Sequence, residues 1–204
     1  MAIAVQQISP IAHLPLVLGV LRRLEVATVM DRLIPPHPAH VLSCGRGVEA
    51  LVLAILDGHH ALYKVGQRLA ERGMLTLLQP GLTRASLHDD RLGHILDALF
   101  AANLNKVFRA LALKALEVYA IPPPWLHQDT TTIALYGAYE DAPQRARAPR
   151  PAYGHSKDGR DDLTQVLLSL GVSGDGGRPL RVGVRDGNRS ESVETPVAIA
   201  ECLA

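Results

Sequence analysis

Tyr119-Ala120-Ile121-Pro122-Pro123-Pro124-Trp125-Leu126-His127-Gln128-Asp129-Thr130-Thr131-Thr132-Ile133-Ala134-Leu135 is the stretch on which the fold turns. Three consecutive prolines cannot continue a helix, and they form a stiff, extended connector. On their N-terminal side the apolar residues recur at helical spacing. On their C-terminal side Thr130, Thr131, Thr132 and Ile133 favour a pleated strand. The prolines therefore predict a boundary between a helical domain, residues 1–121, and a β-containing domain, residues 122–204.

Outward toward the N-terminus, Leu104 to Tyr119 reads as the most regular helix, with Phe108, Leu111, Ala115 and Val118 along one face. Leu92 to Ala102 precedes it, after a turn at Pro80-Gly81. Ala61 to Arg72 forms another helix, closed by Gly73. Val48, Leu51, Val52, Ile55 and Leu56 mark one that ends at Gly58, a suitable C-terminal cap. Leu14, Val17, Leu18, Leu21 and Leu24 mark the first, with Arg22 and Arg23 on its other side, before Pro35, Pro36 and Pro38 stop the chain. About five short helices are expected, and no strand among them.

Outward toward the C-terminus, Gln165 to Val172 is a second apolar run. Leu180, Val182 and Val184 then alternate with Arg181, Gly183 and Arg185, as in a half-buried strand. Gly174-Asp175-Gly176-Gly177 between these runs signals an antiparallel hairpin. The glycines from Gly171 to Gly177 match no phosphate-binding fingerprint and read as turn residues. A helix is expected from Ser192 to Leu203. The fold class is thus α+β: a helical N-terminal domain followed by one strand, a hairpin and a helix. Three strands and a helix bury little apolar surface and leave an open edge, so the second domain reads as the start of a larger one.

Composition excludes several classes. Hydrophobic residues make up 48% of the 204, enough for a buried core, while 21 basic and 20 acidic residues give a net charge of +1. Bulk charge therefore offers no argument for nucleic acid, and any such contact must come from local clusters. Cys44 and Cys202 form no CxxC pair, which suits a reducing compartment. No signal peptide and no apolar run long enough to span a membrane is present, so a soluble, cytoplasmic protein is expected.

Asp129 stands in the middle of the first strand, although aspartate is depleted in strands because its side chain competes for backbone hydrogen bonds. A strand that keeps one either uses it, commonly to hold a cation, or carries a solvated Asp at its end. Arg145, Arg147, Arg150, Lys157 and Arg160 make the one local basic cluster, which reads either as a phosphate-contacting loop or as a solvated one. Asp89-Asp90 before the run from Leu92 reads as helix capping rather than catalysis. His37, His40 and Cys44, with His59-His60, have metal-like spacing but no convincing fourth partner in a proline-broken loop. His155 reads as helping to position DNA or as capping a strand.

Three blocks bring these residues together: Leu87-His88-Asp89-Asp90-Arg91-Leu92-Gly93, Trp125-Leu126-His127-Gln128-Asp129-Thr130-Thr131, and Tyr153-Gly154-His155-Ser156-Lys157-Asp158-Gly159-Arg160. The last continues through Asp162-Leu163-Thr164-Gln165-Val166, and Gly187-Asn188 follows the third strand. In this order the chain resembles insertion-sequence transposases with a ribonuclease-H-like DDE domain behind a helical domain of uncharacterised function. The resemblance implies that Asp129 is the first of three catalytic carboxylates that together hold two divalent ions, usually Mg²⁺. Such ions activate water or a 3′ hydroxyl and stabilise the leaving oxygen in an in-line displacement at phosphorus.

In that family the second Asp and the Glu come later than residue 204. Asp186, Glu191 and Glu194 are acidic and nearby, but they belong to the end of the third strand and the next helix and are not expected to replace them. The expectation is therefore the N-terminal portion of a DDE transposase, inactive alone. Its expected partners are transposon-end DNA and either a second copy of the chain or a full-length transposase. The alternative is a DNA-binding or dimerising module that inhibits the full-length enzyme. Against it, Arg22, Arg23, Lys64, Arg68 and Arg72 are scattered rather than gathered on one helix face.

Overall fold

The structure is a computed structural model, and it describes residues 10–35, 41–58, 60–121, 126–137, 148–157, 159–174 and 177–203. Pro36, His37, Pro38, His40, His59, Pro122 to Trp125, Arg145, Arg147, Asp158, Asp175 and Gly176 lie outside the described residues. The chain divides into two compact units, Met1–Val118 and Tyr119–Ala204. The architecture is α+β, helices first and then a three-stranded antiparallel sheet.

The first unit holds α1 (Leu14–Arg23), α2 (Val26–Leu33), α3 (Cys44–Gly58), α4 (Val65–Glu71), α5 (Leu75–Leu78), α6 (Asp89–Ala101) and α7 (Leu104–Val118). Where the sequence suggests one first helix through Leu24, the chain breaks at Glu25 and continues as α2. Glu25 sits at φ 52°, a left-handed conformation reached here without glycine, which is why composition gives no warning. α5 is likewise a single turn too short for periodicity to reveal.

Leu14, Leu18, Leu53, Leu69, Met74, Leu87 and Leu92 form the main core around α3. A smaller cluster joins Val26 and Met30 of α2 to Val107 of α7. The face expected for α7 is partly covered, and the residues buried most deeply flank it. Val107 and Ala112 are fully buried, and Phe108, Leu111, Ala115 and Val118 are half-buried beside them.

Polar contacts fix the ends of α3. Its first-turn amides, which have no intrahelical acceptor, donate to Asp31 Oδ1 from Gly45 (2.7 Å) and to Ser43 Oγ from Arg46 (3.2 Å). Close to its other end the Asp57 carboxylate, whose side chain is only 2% exposed, accepts from Arg72 Nε (2.7 Å) and lies 3.6 Å from Arg68 Nη2 and 3.3 Å from His60.

The second unit carries β1 (Leu126–Leu135), β2 (Thr164–Ser173), β3 (Pro179–Asp186) and α8 (Glu191–Leu203). The sheet order is β1-β2-β3, both pairs antiparallel, with Asp129 opposite Leu170 and Leu170 opposite Val182. Gly171 lies within β2 beside a bulge, not in the turn as its glycine-rich surroundings suggest. A Cβ there would press on Gln128 Oε1 and the Arg181 side chain.

Successive strand residues face opposite sides of a sheet. On the side that α8 covers stand Thr130, Thr132, Gln165, Leu167, Ser169, Arg181 and Gly183, all buried. On the other side Ile133, Leu170 and Val184 remain 44%, 37% and 42% exposed. The alternation expected for β3 is present, but its buried side is the Arg/Gly side. The reason is Glu194 of α8, buried, which accepts from Arg181 Nη2 (2.9 Å) and Arg185 Nε (3.0 Å) and lies 3.0 Å from Arg189 Nε. A paired guanidinium tolerates burial that a free one does not.

Candidate functional site

Asp129 is the fourth residue of β1, on an edge strand, with its side chain 88% exposed. Its Oδ1 accepts the backbone N–H of Thr130 at 2.8 Å, which orients the carboxylate along the strand. The neighbouring Thr130 and Thr132 point to the covered side, where their hydroxyls make the contacts that build the rest of the site.

Lys157 is delivered by the segment that precedes β2. Ala152 bridges to Gln165, with hydrogen bonds of 3.1 and 3.0 Å, and Gly187 N–H donates to Arg150 O (3.0 Å). Buried Gln165 donates through Nε2 to the carbonyls of Gly187 (2.9 Å) and His155 (3.3 Å), pinning the segment to the end of the sheet. Gly154 and Gly187 are required for this approach. A Cβ on Gly187 would run into the carbonyls of Gln165 and Ala152, and one on Gly154 into the Gly187 carbonyl. The Lys157 amide then donates to Thr132 Oγ1 at 3.2 Å.

At the end of this path the Lys157 ammonium donates to the Thr130 carbonyl. It lies 2.6 Å from Glu191 Oε1 and 3.5 Å from Asp129 Oδ1. Glu191, in the first turn of α8, also accepts from the Thr130 hydroxyl. The hydrogen bond from Lys157, and then that from Thr130, hold the Glu191 carboxyl below its ordinary range. The hydrogen bond to Glu191, with the charge of Asp129, holds the Lys157 ammonium above its own.

The structure thus brings Asp129 and Lys157 together and adds Glu191 and Thr130, which the sequence reading set aside or did not single out. Glu191 reaches β1 across 61 residues of chain, a separation at which no local pattern signals contact. The rest of the basic cluster is not gathered around Asp129 among the described residues. Arg160 forms a two-pronged pair with Asp162 (2.7 and 2.8 Å) and stacks 6.0 Å from the Tyr136 ring centre; the Asp162 hydrogen bonds push its guanidinium pKa up. Arg150 is exposed, and its amide donates to Asp186 Oδ1 at 2.9 Å. His155 is exposed and contributes its carbonyl, not its ring, to the Gln165 clamp. Asp186 and Glu194 are held by Arg150 and by the arginine group respectively, so Glu191 is the carboxylate that shares Lys157 with Asp129.

Asp129 and Glu191 are hard oxygen donors of the kind a divalent cation takes. Asp129 has the open carboxylate, and one oxygen of Glu191 is already committed to Lys157 and Thr130. The donor set fits such an ion in kind, with Asp129 as the residue that would hold it.

Other metal-like groupings resolve otherwise. His88, Asp89 and Asp90 are exposed and their ligand atoms lie within 4.8 Å of one another. His88 Nδ1, however, accepts the Arg91 amide at 3.3 Å and so caps α6, with the two aspartates in its first turn. Cys44 is buried in α3, and burial, reinforced by the Asp31 charge, pushes its thiol up to about 11, which opposes the thiolate that zinc requires. Arg22 donates to the Leu77 carbonyl, and Arg68 and Arg72 serve Asp57, so these arginines make internal contacts. No described helix is long and apolar enough to cross a membrane.

Comparison with known families finds one model, described as a domain of unknown function (DUF4277), over residues 6–113, more than half of the chain. No curated protein and no solved structure matches.

Proposed function

Because the chain belongs to the DUF4277 family through residues 6–113, we propose that this family's helical domain here serves as the front of an insertion-sequence DDE transposase, whose catalytic sheet starts at β1. The observation that carries the reading is the position of Asp129. It is an open carboxylate on the first strand of an antiparallel sheet, with a lysine ammonium from the Tyr153–Arg160 block beside it. The succession of helical unit, Asp-bearing strand, hairpin and helix supports it further. Under this reading residues 126–203 contribute the opening strands and first helix of a ribonuclease-H-like domain.

Asp129 would hold Mg²⁺, which when bound supplies charge neutralisation for in-line phosphoryl transfer to water or a 3′ hydroxyl. The chain's own residues provide the frame. Thr130 fixes Asp129 through its amide and Glu191 through its hydroxyl, and Lys157 places a positive charge at the strand edge. One open carboxylate does not make a two-metal site, so under this reading residues 1–204 alone do not cut DNA. Transposon-end DNA is the partner, together with a second copy or a full-length transposase.

The test is Mn²⁺ binding by the whole chain, followed by electron paramagnetic resonance, with nicking of supercoiled DNA measured alongside. The reading expects weak binding that Asp129→Asn abolishes, and no nicking. Mn²⁺ binding indifferent to Asp129, or its absence, overturns the role given to Asp129; Asp129-dependent nicking overturns the inactivity.

A further inference from the structure

An alkylammonium has three N–H donors and no acceptor. Lys157 Nζ has three acceptors within the protein: the Thr130 carbonyl, Glu191 Oε1 at 2.6 Å and Asp129 Oδ1 at 3.5 Å. The backbone of Lys157 is fixed as well, through its amide to Thr132 Oγ1. Glu191 is held in turn by the Thr130 hydroxyl, itself buried. The side chain is therefore not a solvent-trailing lysine ready for a DNA phosphate, the role its sequence neighbourhood suggests. Its three contacts are unequal. The Glu191 contact is short, and the Asp129 contact sits at the outer limit of hydrogen bonding, so Asp129 is the partner released at least cost.

We propose that Lys157 is the resident counter-ion of Asp129 and Glu191, a positioning residue whose ammonium stands in for a divalent cation and must withdraw from Asp129 before that cation binds. The inference rests on the reading of Asp129 as a metal ligand. It follows from like-charge exclusion: an ammonium within hydrogen-bond range of a ligand oxygen repels a second cation approaching the same oxygen. Glu191 and the Thr130 carbonyl retain the ammonium when it leaves Asp129, so exchange needs only a short swing of one side chain.

Mn²⁺ binding to the full chain separates this inference from the reading beneath it. Wild type, Lys157→Gln, Asp129→Asn and the double variant are compared by electron paramagnetic resonance. Lys157→Gln should bind on the order of tenfold more tightly, the effect of removing one adjacent like charge in a partly solvated site. Asp129→Asn in that background should abolish the gain. Equal affinity of wild type and Lys157→Gln, with both lost on Asp129→Asn, overturns the counter-ion role and leaves Asp129 as a ligand. Binding indifferent to Asp129, or absent throughout, overturns both. Reductive methylation of wild type, read by mass spectrometry, needs no folded variant. Lys157 should react more slowly than exposed Lys106, and Mg²⁺ should raise its rate. Lys157 reacting as fast as Lys106, or a rate that Mg²⁺ leaves unchanged, overturns the counter-ion role.

Discussion

Arg181 Nη2 donates to Glu194 Oε1 at 2.9 Å, and the two side chains retain only 8% and 0% of their solvent exposure. Arg181 also donates to Ser169 Oγ at 2.7 Å, so the pair ties α8 to β2 as well as β3. Burial raises the Glu194 carboxyl, but hydrogen bonds from Arg181 and Arg185 outweigh it and hold the group below its ordinary value. Removing the carboxylate takes from the buried Arg181 guanidinium the charge that faces it and unpairs a carboxyl position with no solvent exposure. Glu194→Gln should therefore cost about 3–5 kcal/mol, the usual penalty for breaking a buried pair from one side. Urea unfolding followed by circular dichroism measures it, and a loss under about 1 kcal/mol would place the pair among solvated ones.

Two helical glycines, one at the close approach of α2 and α3 and one on an open face of α6, predict opposite outcomes. A Cβ on Gly45 would collide with the backbone of Ala27, which cannot turn aside as a side chain can. Gly45→Ala should destabilise by about 1–3 kcal/mol even though alanine is the better helix former. Gly93 on α6 has nothing within 4 Å of the same position, and Gly93→Ala should stabilise by about 0.5–1 kcal/mol. Thermal melting of the two variants beside wild type checks the pair of signs.

Most of the helical unit was legible because α3, α6 and α7 are long enough for a stripe of leucine and valine to repeat. α2 was not, since the break before it falls on Glu25 rather than on glycine or proline. Asp129 was legible as an acid in a threonine-rich strand. Its companion Glu191 was not, because it arrives from a helix far along the chain. The buried side of β3 was hidden for a related reason. Arg181 reads as a surface residue until Glu194, on a separate element, supplies the charge that lets it be covered.

Acid should loosen α8 through carboxyls whose folded pKa is depressed. Glu191 and Glu194 both lie below their ordinary value of 4.5 when folded. A depressed carboxyl contributes stability that is present above the unfolded pKa and lost as pH falls through the folded one. Lys157 has the opposite sign, raised above 10.5, so its contribution persists to alkaline pH and fades only beyond that value. Urea midpoints should be flat near neutrality and fall below about pH 4.5. Glu191→Gln should reduce that fall; an identical acid limb in the variant would show that the Lys157–Glu191 pair carries none of it.

Cys44 should be chemically silent in the folded chain. Its thiol is buried and pushed up to about 11, so thiolate is scarce at pH 8. In a Cys202→Ser background, a disulfide-exchange reagent should release no colour until denaturant is added, and then one equivalent. Rapid reaction without denaturant would show that α3 opens locally on the assay timescale.

Gly45 and Gly187 also limit the paths by which this sequence can drift. Every single-base change in a glycine codon that alters the amino acid yields a residue with a Cβ or ends the chain, and at these two positions a Cβ meets backbone. No one-step missense mutation at either codon keeps the geometry. Selection for the folded chain should therefore hold both codons to glycine, while the codon of Gly93 has room for a Cβ.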